Sequence, residues 1–142
     1  MPLWTIYHSP DTFTAGQRAE LAKTIADFYA DRAGLPRFYV MTIFRETPAD
    51  DFYVGGQPCA RAARVVIEHI ARRAPDGAGR RRVTDRIAGL LTPLMEKHPD
   101  VHWEFHIDET SEELWMINGL VPPPAGSDAE KSWAVANAAS SY

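Results

Sequence analysis

The sequence predicts an α+β, two-layer fold in which tandem β-α-β units form a four-stranded mixed sheet with two helices on one face. The order strand, helix, strand occurs twice, and the first strands of the two copies begin about 60 residues apart. A right-handed crossover makes the two strands of each unit parallel. Because the strands are apolar on both faces and the helices cover only one, we expect the other face to pack against further subunits.

The first unit, residues 2–60, opens with LWTIY, a run of β-branched and aromatic residues typical of a strand. Thr14 and Gln17 form a capping box, and apolar residues follow at helical spacing as far as Gly34, which predicts a helix. The apolar stretch RFYVMTIF, residues 37–44, predicts a second strand that is covered on both faces.

The second unit, residues 61–120, repeats this order. RVVIEHI predicts a strand, an apolar stripe from Val83 to Met95 predicts a helix, and VHWEFHI predicts the closing strand. Pro93 lies within the stripe and should kink or end that helix. A short helix is expected from Glu112 to Met116.

The C-terminal segment, residues 121–142, completes what we expect to be a single domain. Three consecutive prolines predict an extended passage, and Ser127 with Glu130 forms a second capping box that predicts a last short helix. The segment is either an arm over a neighbouring subunit or a frayed end. Trp133 and Tyr142 favour the arm.

Composition excludes several classes of function. The net charge of −4 gives no basic excess of the kind that marks nucleic-acid binding. The basic cluster Arg80, Arg81, Arg82 and Arg86 is interpreted as a solvated helix face. Neither a signal peptide nor a membrane-spanning stretch is recognised, and the single cysteine fits a reducing compartment, so we expect a soluble, cytoplasmic protein.

The motifs of the common cofactor and metal sites are missing from the sequence. His102 and His106 share one side of a predicted strand, but no metal-ligand motif accompanies them, so structural histidines are the favoured interpretation. Glycine-rich nucleotide loops and the nucleophile elbow of serine hydrolases do not occur. We expect neither a metal nor an organic cofactor.

Pro2 is the residue that suggests a chemistry. If Met1 is removed, as is usual before a small residue, Pro2 becomes an N-terminal secondary amine. Burial and nearby guanidinium groups lower the pKa of such an amine toward neutrality, where a base can abstract a proton beside a carbonyl. Arg72 and Arg73, at the end of the third strand, are candidates for holding an acid substrate and lowering that pKa. A chance proline and solvent-facing arginines are the open alternatives.

MPLWTIYH resembles the start of tautomerase-superfamily chains, and FYVGGQ resembles the glycine-rich hairpin after the second strand of 4-oxalocrotonate tautomerase. With LWMINGLVPPP, the chain resembles the fused branch typified by cis-3-chloroacrylic acid dehalogenase, and is closer still to its oxalocrotonate tautomerase relatives. The resemblance covers residues 2 to about 135. It implies a homotrimer with an amino-terminal proline at each active site, and no metal or organic cofactor.

The resemblance also implies roles for particular residues. The first strand would run antiparallel to the third, which places Arg72 near Pro2 as the arginine that binds the substrate carboxylate. The family's second arginine comes three places after the first, where this chain has Pro75, and Arg73 is the immediate neighbour instead. Tyr29 stands where the dehalogenase has a substrate-binding histidine.

Two further departures separate the chain from the dehalogenase. Phe105 replaces a tyrosine of the last strand and has no hydrogen-bond donor. The glutamate that activates water falls at Ile117 or Asn118, and neither side chain can act as a general base. The resemblance therefore implies a tautomerase rather than a dehalogenase.

We thus expect a cofactor-independent tautomerase in which Pro2 is the general base on small 2-keto or enol carboxylic acids. Arg72 and Arg73 would hold the substrate carboxylate, and Tyr29 and Asn118 would hydrogen-bond its oxygen. The predicted pocket residues are Phe52, His69, Phe105, Trp115 and Ile117, of which Phe52, Phe105 and Trp115 form an apolar wall.

Two alternatives stay open. The first is hydration, dehalogenation or decarboxylation of a three-carbon acid, with His69 or Glu68 in place of the missing glutamate. The second is a non-catalytic binding trimer that has the same fold.

Overall fold

The computed structural model describes residues 1–142 and consists of a four-stranded sheet, two long helices, a short hairpin and a C-terminal helix. In chain order the elements are β1 (Pro2–His8), α1 (Ala15–Ala33), β2 (Met41–Glu46), β3 (Tyr53–Val54), β4 (Gln57–Pro58), β5 (Ala62–Ile70), α2 (Gly77–Met95), β6 (His102–Thr110) and α3 (Asp128–Ala136).

The sheet joins the two β-α-β units through their first strands. Its order is β2-β1-β5-β6; β1 is parallel to β2, β5 is parallel to β6, and β1 is antiparallel to β5. Trp4 and Ile6 of β1 and Ile67 of β5 are buried beneath the helices. The predicted fold class is confirmed.

Helix α1 begins and ends as its sequence predicts. The Thr14 hydroxyl accepts a hydrogen bond from the Gln17 backbone N–H, and the Gln17 side chain accepts one from the Thr14 N–H, so the capping box is complete. Gly34 ends the helix with a φ of 63°, in the left-handed region where a residue without Cβ carries no steric penalty.

The predicted second strand, residues 37–44, is confirmed only from Met41 onward, and within the single chain it is not covered on both faces. Arg37–Tyr39 form a 3₁₀ turn, in which the N–H groups of Tyr39 and Val40 bond to the carbonyls of Pro36 and Arg37. These local bonds remove that segment from the sheet. The strand that follows, β2, lies at the sheet edge, where Met41 is 51% exposed.

In the second unit the start of α2 and the segment after β6 differ from expectation, whereas α2 ends close to Pro93 as predicted. Helix α2 starts at Gly77, because the Asp76 carboxylate accepts the Gly79 N–H as an N-cap. Pro93 falls in its final turn, so the helix ends two residues later, at Met95. The segment expected as a helix from Glu112 is only a 3₁₀ turn, Glu112–Leu114.

The C-terminal helix packs against its own chain; whether the segment also reaches a neighbouring subunit stays a prediction. Trp133 is 1% exposed and contacts the rings of Phe38 and Tyr39, and the Asn137 side-chain carbonyl accepts the Phe38 N–H at 3.0 Å. Ser127 caps the helix by accepting the Glu130 N–H. The second half of the predicted capping box does not form there, because the Glu130 carboxylate bonds elsewhere.

The opposite face of the sheet includes Tyr7 and Met41, which are 41% and 51% exposed. The GG turn between β3 and β4 gives the expected hairpin, with positive φ at Gly55 and Gly56. None of the helices combines the length and apolar character needed to cross a membrane.

Replacing Trp133 by alanine should lower the free energy of unfolding by about 3–5 kcal/mol, because it empties the site that anchors α3. Urea unfolding followed by far-UV circular dichroism measures the change. Val135→Ala is the control on the same helix, because Val135 is 91% exposed and its removal should change stability little. Equal effects of the two substitutions would contradict the packing described.

Candidate active site

A cavity of about 320 Å³ opens where β1 begins and β5 ends, between the last turns of α1 and the first turns of α2. The Pro2 ring lies in its wall and is itself almost fully buried. The antiparallel register places Pro2 directly opposite His69. The apolar part of the wall includes Phe28, Leu35, Ile70 and Val83.

A hydrogen-bonded chain connects the buried core to this cavity. The Trp4 indole N–H donates to the Tyr29 hydroxyl oxygen at 3.1 Å, and that hydroxyl lies 2.7 Å from Nε2 of His69. When Nε2 carries no proton, Tyr29 donates its only hydroxyl hydrogen to it. The ring orientation of His69 is therefore held from within the core.

Burial shifts both titrating members of this chain toward their neutral forms. It lowers the pKa of His69 to about 4, with the nearby terminal amine acting in the same direction and Glu109 opposing it. It also raises the pKa of Tyr29. At neutral pH the cavity therefore holds an uncharged imidazole and an uncharged phenol.

The charged lining of the cavity is mostly cationic. Five arginines contribute to it: Arg32, Arg72, Arg73, Arg82 and Arg86. One carboxylate, Glu109, also lines it and accepts the Ala74 N–H at 2.7 Å; that bond, helped by Arg80, lowers the Glu109 pKa. Guanidinium groups bind carboxylates in bidentate geometry, so the cavity suits an organic acid.

Sequence reasoning missed three of these arginines and the glutamate. Arg82 and Arg86 were assigned to a solvated face, and they are indeed exposed, but they stand at the cavity rim. The sequence contains a signal for this position, because both arginines lie next to Val83 on the helix surface. Val83 is the first residue of the apolar stripe of α2, and it also lines the cavity.

Met1 extends the pairing of β1 with β5 by one residue. Its amine donates to the Ile70 carbonyl at 2.5 Å, and the Ile70 N–H donates to the Met1 carbonyl at 2.8 Å. Burial, and then the charge of Arg72, lower the pKa of this amine to about 5, while Glu130 opposes them. With Met1 in place the Pro2 nitrogen is an amide and has no basicity.

A second cavity, of about 280 Å³, adjoins the first, and Met1, Leu35 and Arg72 line both. Tyr39 points a buried hydroxyl without a hydrogen-bond partner toward this region, and burial raises the Tyr39 pKa to about 12. Trp115 lies in its wall.

The structure brings five of the predicted site residues to the first cavity: Pro2, Tyr29, His69, Arg72 and Arg73. Trp115 lines only the second cavity. Glu68, the proposed substitute base, pairs with Leu3 and so lies on the sheet face opposite Pro2 and His69.

The other predicted residues lie elsewhere in the single chain. Phe105 pairs with Val65 in the middle of β6, whereas the strand residue level with His69 is Glu109. Ile117 and Asn118 belong to a tight turn closed by reciprocal bonds between Ile117 and Leu120, with Asn118 exposed at a φ of 50°. Phe52, just before β3, lines neither cavity. Within the single chain, the expected wall of Phe52, Phe105 and Trp115 is therefore not assembled around Pro2.

The chain is similar to known proteins in both sequence and fold. The sequence matches the family model described as "Putative oxalocrotonate tautomerase enzyme" over residues 1–138. A probable enzyme from the thermophilic fungus Aspergillus fumigatus is 38% identical, with a TM-score of 0.92 over 100% of this chain and 98% of that one. RhCC from Rhodococcus jostii RHA1 is 36% identical, with a TM-score of 0.93 over 99% of each chain.

A more distant structure shares the fold. N1, a member of the cis-3-chloroacrylic acid dehalogenase family, is 20% identical, with a TM-score of 0.65 over 92% of this chain and 89% of that one. None of the curated proteins matches the sequence.

The low pKa of His69 should make stability depend on pH. Because the unfolded chain takes up the histidine proton near pH 6.5 and the folded chain only near pH 4, stability is full above about pH 6.5 and is lost as the pH falls through this window. The loss attributable to His69 should reach about 3 kcal/mol. Urea unfolding between pH 7 and 4, compared with His69→Gln, isolates this part; identical slopes in both proteins would contradict it.

Proposed function

The chain belongs to the oxalocrotonate tautomerase family, as its resemblance predicts, and from this premise we propose that it is a cofactor-independent tautomerase. In this proposal Met1 is removed, and the Pro2 amine transfers a proton within a small 2-keto or enol carboxylic acid. The observation that carries the proposal is the buried Pro2 ring in the wall of a cavity lined by five arginines.

The environment of the N-terminus supports a neutral base. Burial and the Arg72 guanidinium lower the pKa of the Met1 amine, and the same two effects would act on a Pro2 amine one residue further along β1. A neutral amine accepts the proton from the hydroxyl of an enol or from the carbon beside a ketone, and returns it to the other atom. No net proton is gained or lost.

Arg72 and Arg73 hold the substrate carboxylate and stabilise the negative charge of the enolate as it forms. His69 faces the reacting region directly opposite Pro2, and Tyr29 acts through it, because the Tyr29 hydroxyl is already engaged with Nε2. Tyr29 is thus assigned a positioning role in place of the direct substrate contact expected from the sequence.

Tautomerisation fits the cavity better than hydration or dehalogenation. Those reactions need a general base that activates water, and His69, one of the two expected substitutes, is a weak base because burial lowers its pKa to about 4. Glu109 is engaged by the Ala74 N–H, which lowers its pKa and weakens it as a base, and Glu68 lies on the other sheet face. A neutral amine beside an enolisable acid needs neither.

Pro2→Ala should reduce kcat/KM for ketonisation of phenylenolpyruvate by about 10²–10⁴-fold, because the secondary amine base is replaced. Intact-mass spectrometry of the active wild-type protein should show a chain lighter by one methionine. Pro48→Ala, which changes an exposed loop proline, is the matched control. Unchanged turnover in Pro2→Ala, or full activity in a chain that retains Met1, would refute the assignment.

We further propose that the protein is a homotrimer assembled through the sheet face that no helix covers. Light scattering should then give about three times the chain mass of 15.9 kDa. Tyr7→Asp, on that face, should shift the protein toward the monomer, because a charge replaces apolar contact area. Val135→Lys, on exposed α3 surface, should leave the mass unchanged; a monomeric wild type would rule out this assembly.

A further inference from the structure

Glu130 of α3 is a buried carboxylate in contact with the candidate substrate-binding arginine. One of its oxygens accepts a hydrogen bond from Nη2 of Arg72 at 2.6 Å, and the other accepts the Gly126 backbone N–H at 2.7 Å. The Glu130 side chain is 8% exposed. With both oxygens bonded, the carboxylate is fixed in one orientation.

Glu130 contacts Arg72 from the second cavity, on the side away from Pro2. Arg72 lines both cavities, whereas Glu130 lines only the second, away from Pro2. Its contact uses one terminal nitrogen of the guanidinium and leaves the remaining N–H groups for a ligand in the first cavity. A carboxylate that blocked substrate binding would instead occupy the first cavity.

The position of Glu130 is set by the packing of α3. Trp133, one turn further along the helix, is buried against Phe38 and Tyr39, and Asn137 bonds to the Phe38 backbone. Ser127 fixes the helix start by accepting the Glu130 N–H. The arginine is therefore held by an element more than fifty residues away in the chain.

We infer that Glu130 is a positioning residue for Arg72, and that the C-terminal helix is in this way part of the substrate-binding site. This inference rests on the proposed function, in which Arg72 binds the substrate carboxylate. Glu130 does not touch the substrate; it restricts the guanidinium to the orientation in which its free N–H groups face Pro2.

The charge of Glu130 gives a second, independent readout. At the Met1 amine Arg72 lowers the pKa and Glu130 raises it, and the two charges would act in the same directions on a Pro2 amine beside it. Other charged or titratable groups line the same cavity: Tyr29 and Arg32 from α1; Arg82 and Arg86 from α2; His69 from β5; Arg73 after β5; and Glu109 from β6. The second cavity, which Met1 also lines, adds Tyr39, Glu112, Glu113 and Tyr142. Removing only the Glu130 charge should therefore move the acid limb of the kcat/KM profile to lower pH.

The test compares Glu130→Gln, Glu130→Asp and Asp128→Asn. Glu130→Gln should raise KM for phenylenolpyruvate about tenfold, the size of one charge-assisted hydrogen bond, with kcat changed far less. Glu130→Asp keeps the charge but shortens the reach, so it should raise KM and leave the acid limb in place. Asp128→Asn removes an almost fully exposed charge from the same helix and should change neither quantity.

A catalysis-independent measurement separates this inference from the proposed function. Binding of propanoate, followed by NMR titration in the Pro2→Ala background, should weaken about tenfold on adding Glu130→Gln and more on adding Arg72→Ala. Unchanged propanoate binding with Glu130→Gln would overturn the positioning role while leaving the proline mechanism intact. A lower KM or tighter binding would also overturn it, because Glu130 would then compete with the substrate.

Each variant must first be shown to fold like the wild type. Far-UV circular dichroism must match the wild type for each variant. If Glu130→Gln does not fold, Glu130→Asp carries the test, and wild-type KM in a folded Glu130→Asp protein would contradict the inference.

Discussion

The antiparallel pairing of β1 with β5 determines where the chemical groups of this protein meet. It pairs Pro2, the first residue of β1, with His69, the residue before the last in β5. Arg72 and Arg73 follow directly after the end of β5 and therefore lie beside this pair. A slip of one residue would turn Pro2 and His69 to opposite faces of the sheet. The buried alternation of Trp4, Ile6 and Ile67 prevents such a slip.

Burial and positive charge act together at this place. An apolar environment alone would lower the pKa of an amine, but it would not bind an acid. Guanidinium groups exposed to water would bind the acid, but they would not bury the amine. The cavity combines an inner end, with the buried Pro2 and the half-buried His69, and a rim of arginines. Arg72 also lines the second cavity, where the buried carboxylate of Glu130 accepts its hydrogen bond and holds it.

The repeated β-α-β plan and the start of α1 could be predicted because they depend on local patterns. Thr14 and Gln17 bond to each other in the first turn of α1, and Gly34 bonds only to the last turn of the same helix. The 3₁₀ turn at Arg37–Tyr39 was missed because local hydrogen bonds override an apolar pattern that otherwise indicates a strand.

Parts of the site could not be predicted, because they depend on register and on distant packing. Phe105 and Glu109 both lie on β6, and only the pairing with β5 shows that Glu109, not Phe105, is level with His69. Glu130 has the sequence signature of a capping box, yet its carboxylate bonds to Arg72, whose proximity no local pattern reveals.

The role of Met1 follows from the same ladder. In the structure its amine and carbonyl bond to the backbone carbonyl and N–H of Ile70, and it lines both of the cavities that share Arg72. Removing it would leave the half-buried Ile70 N–H without this partner beside the new amine, and a lost hydrogen bond of this kind costs about 0.5–1.5 kcal/mol. A substrate oxygen that accepts this hydrogen bond would recover that energy. Processing of the N-terminus would therefore create the base and, one residue pair away, a donor for the acid on which it acts.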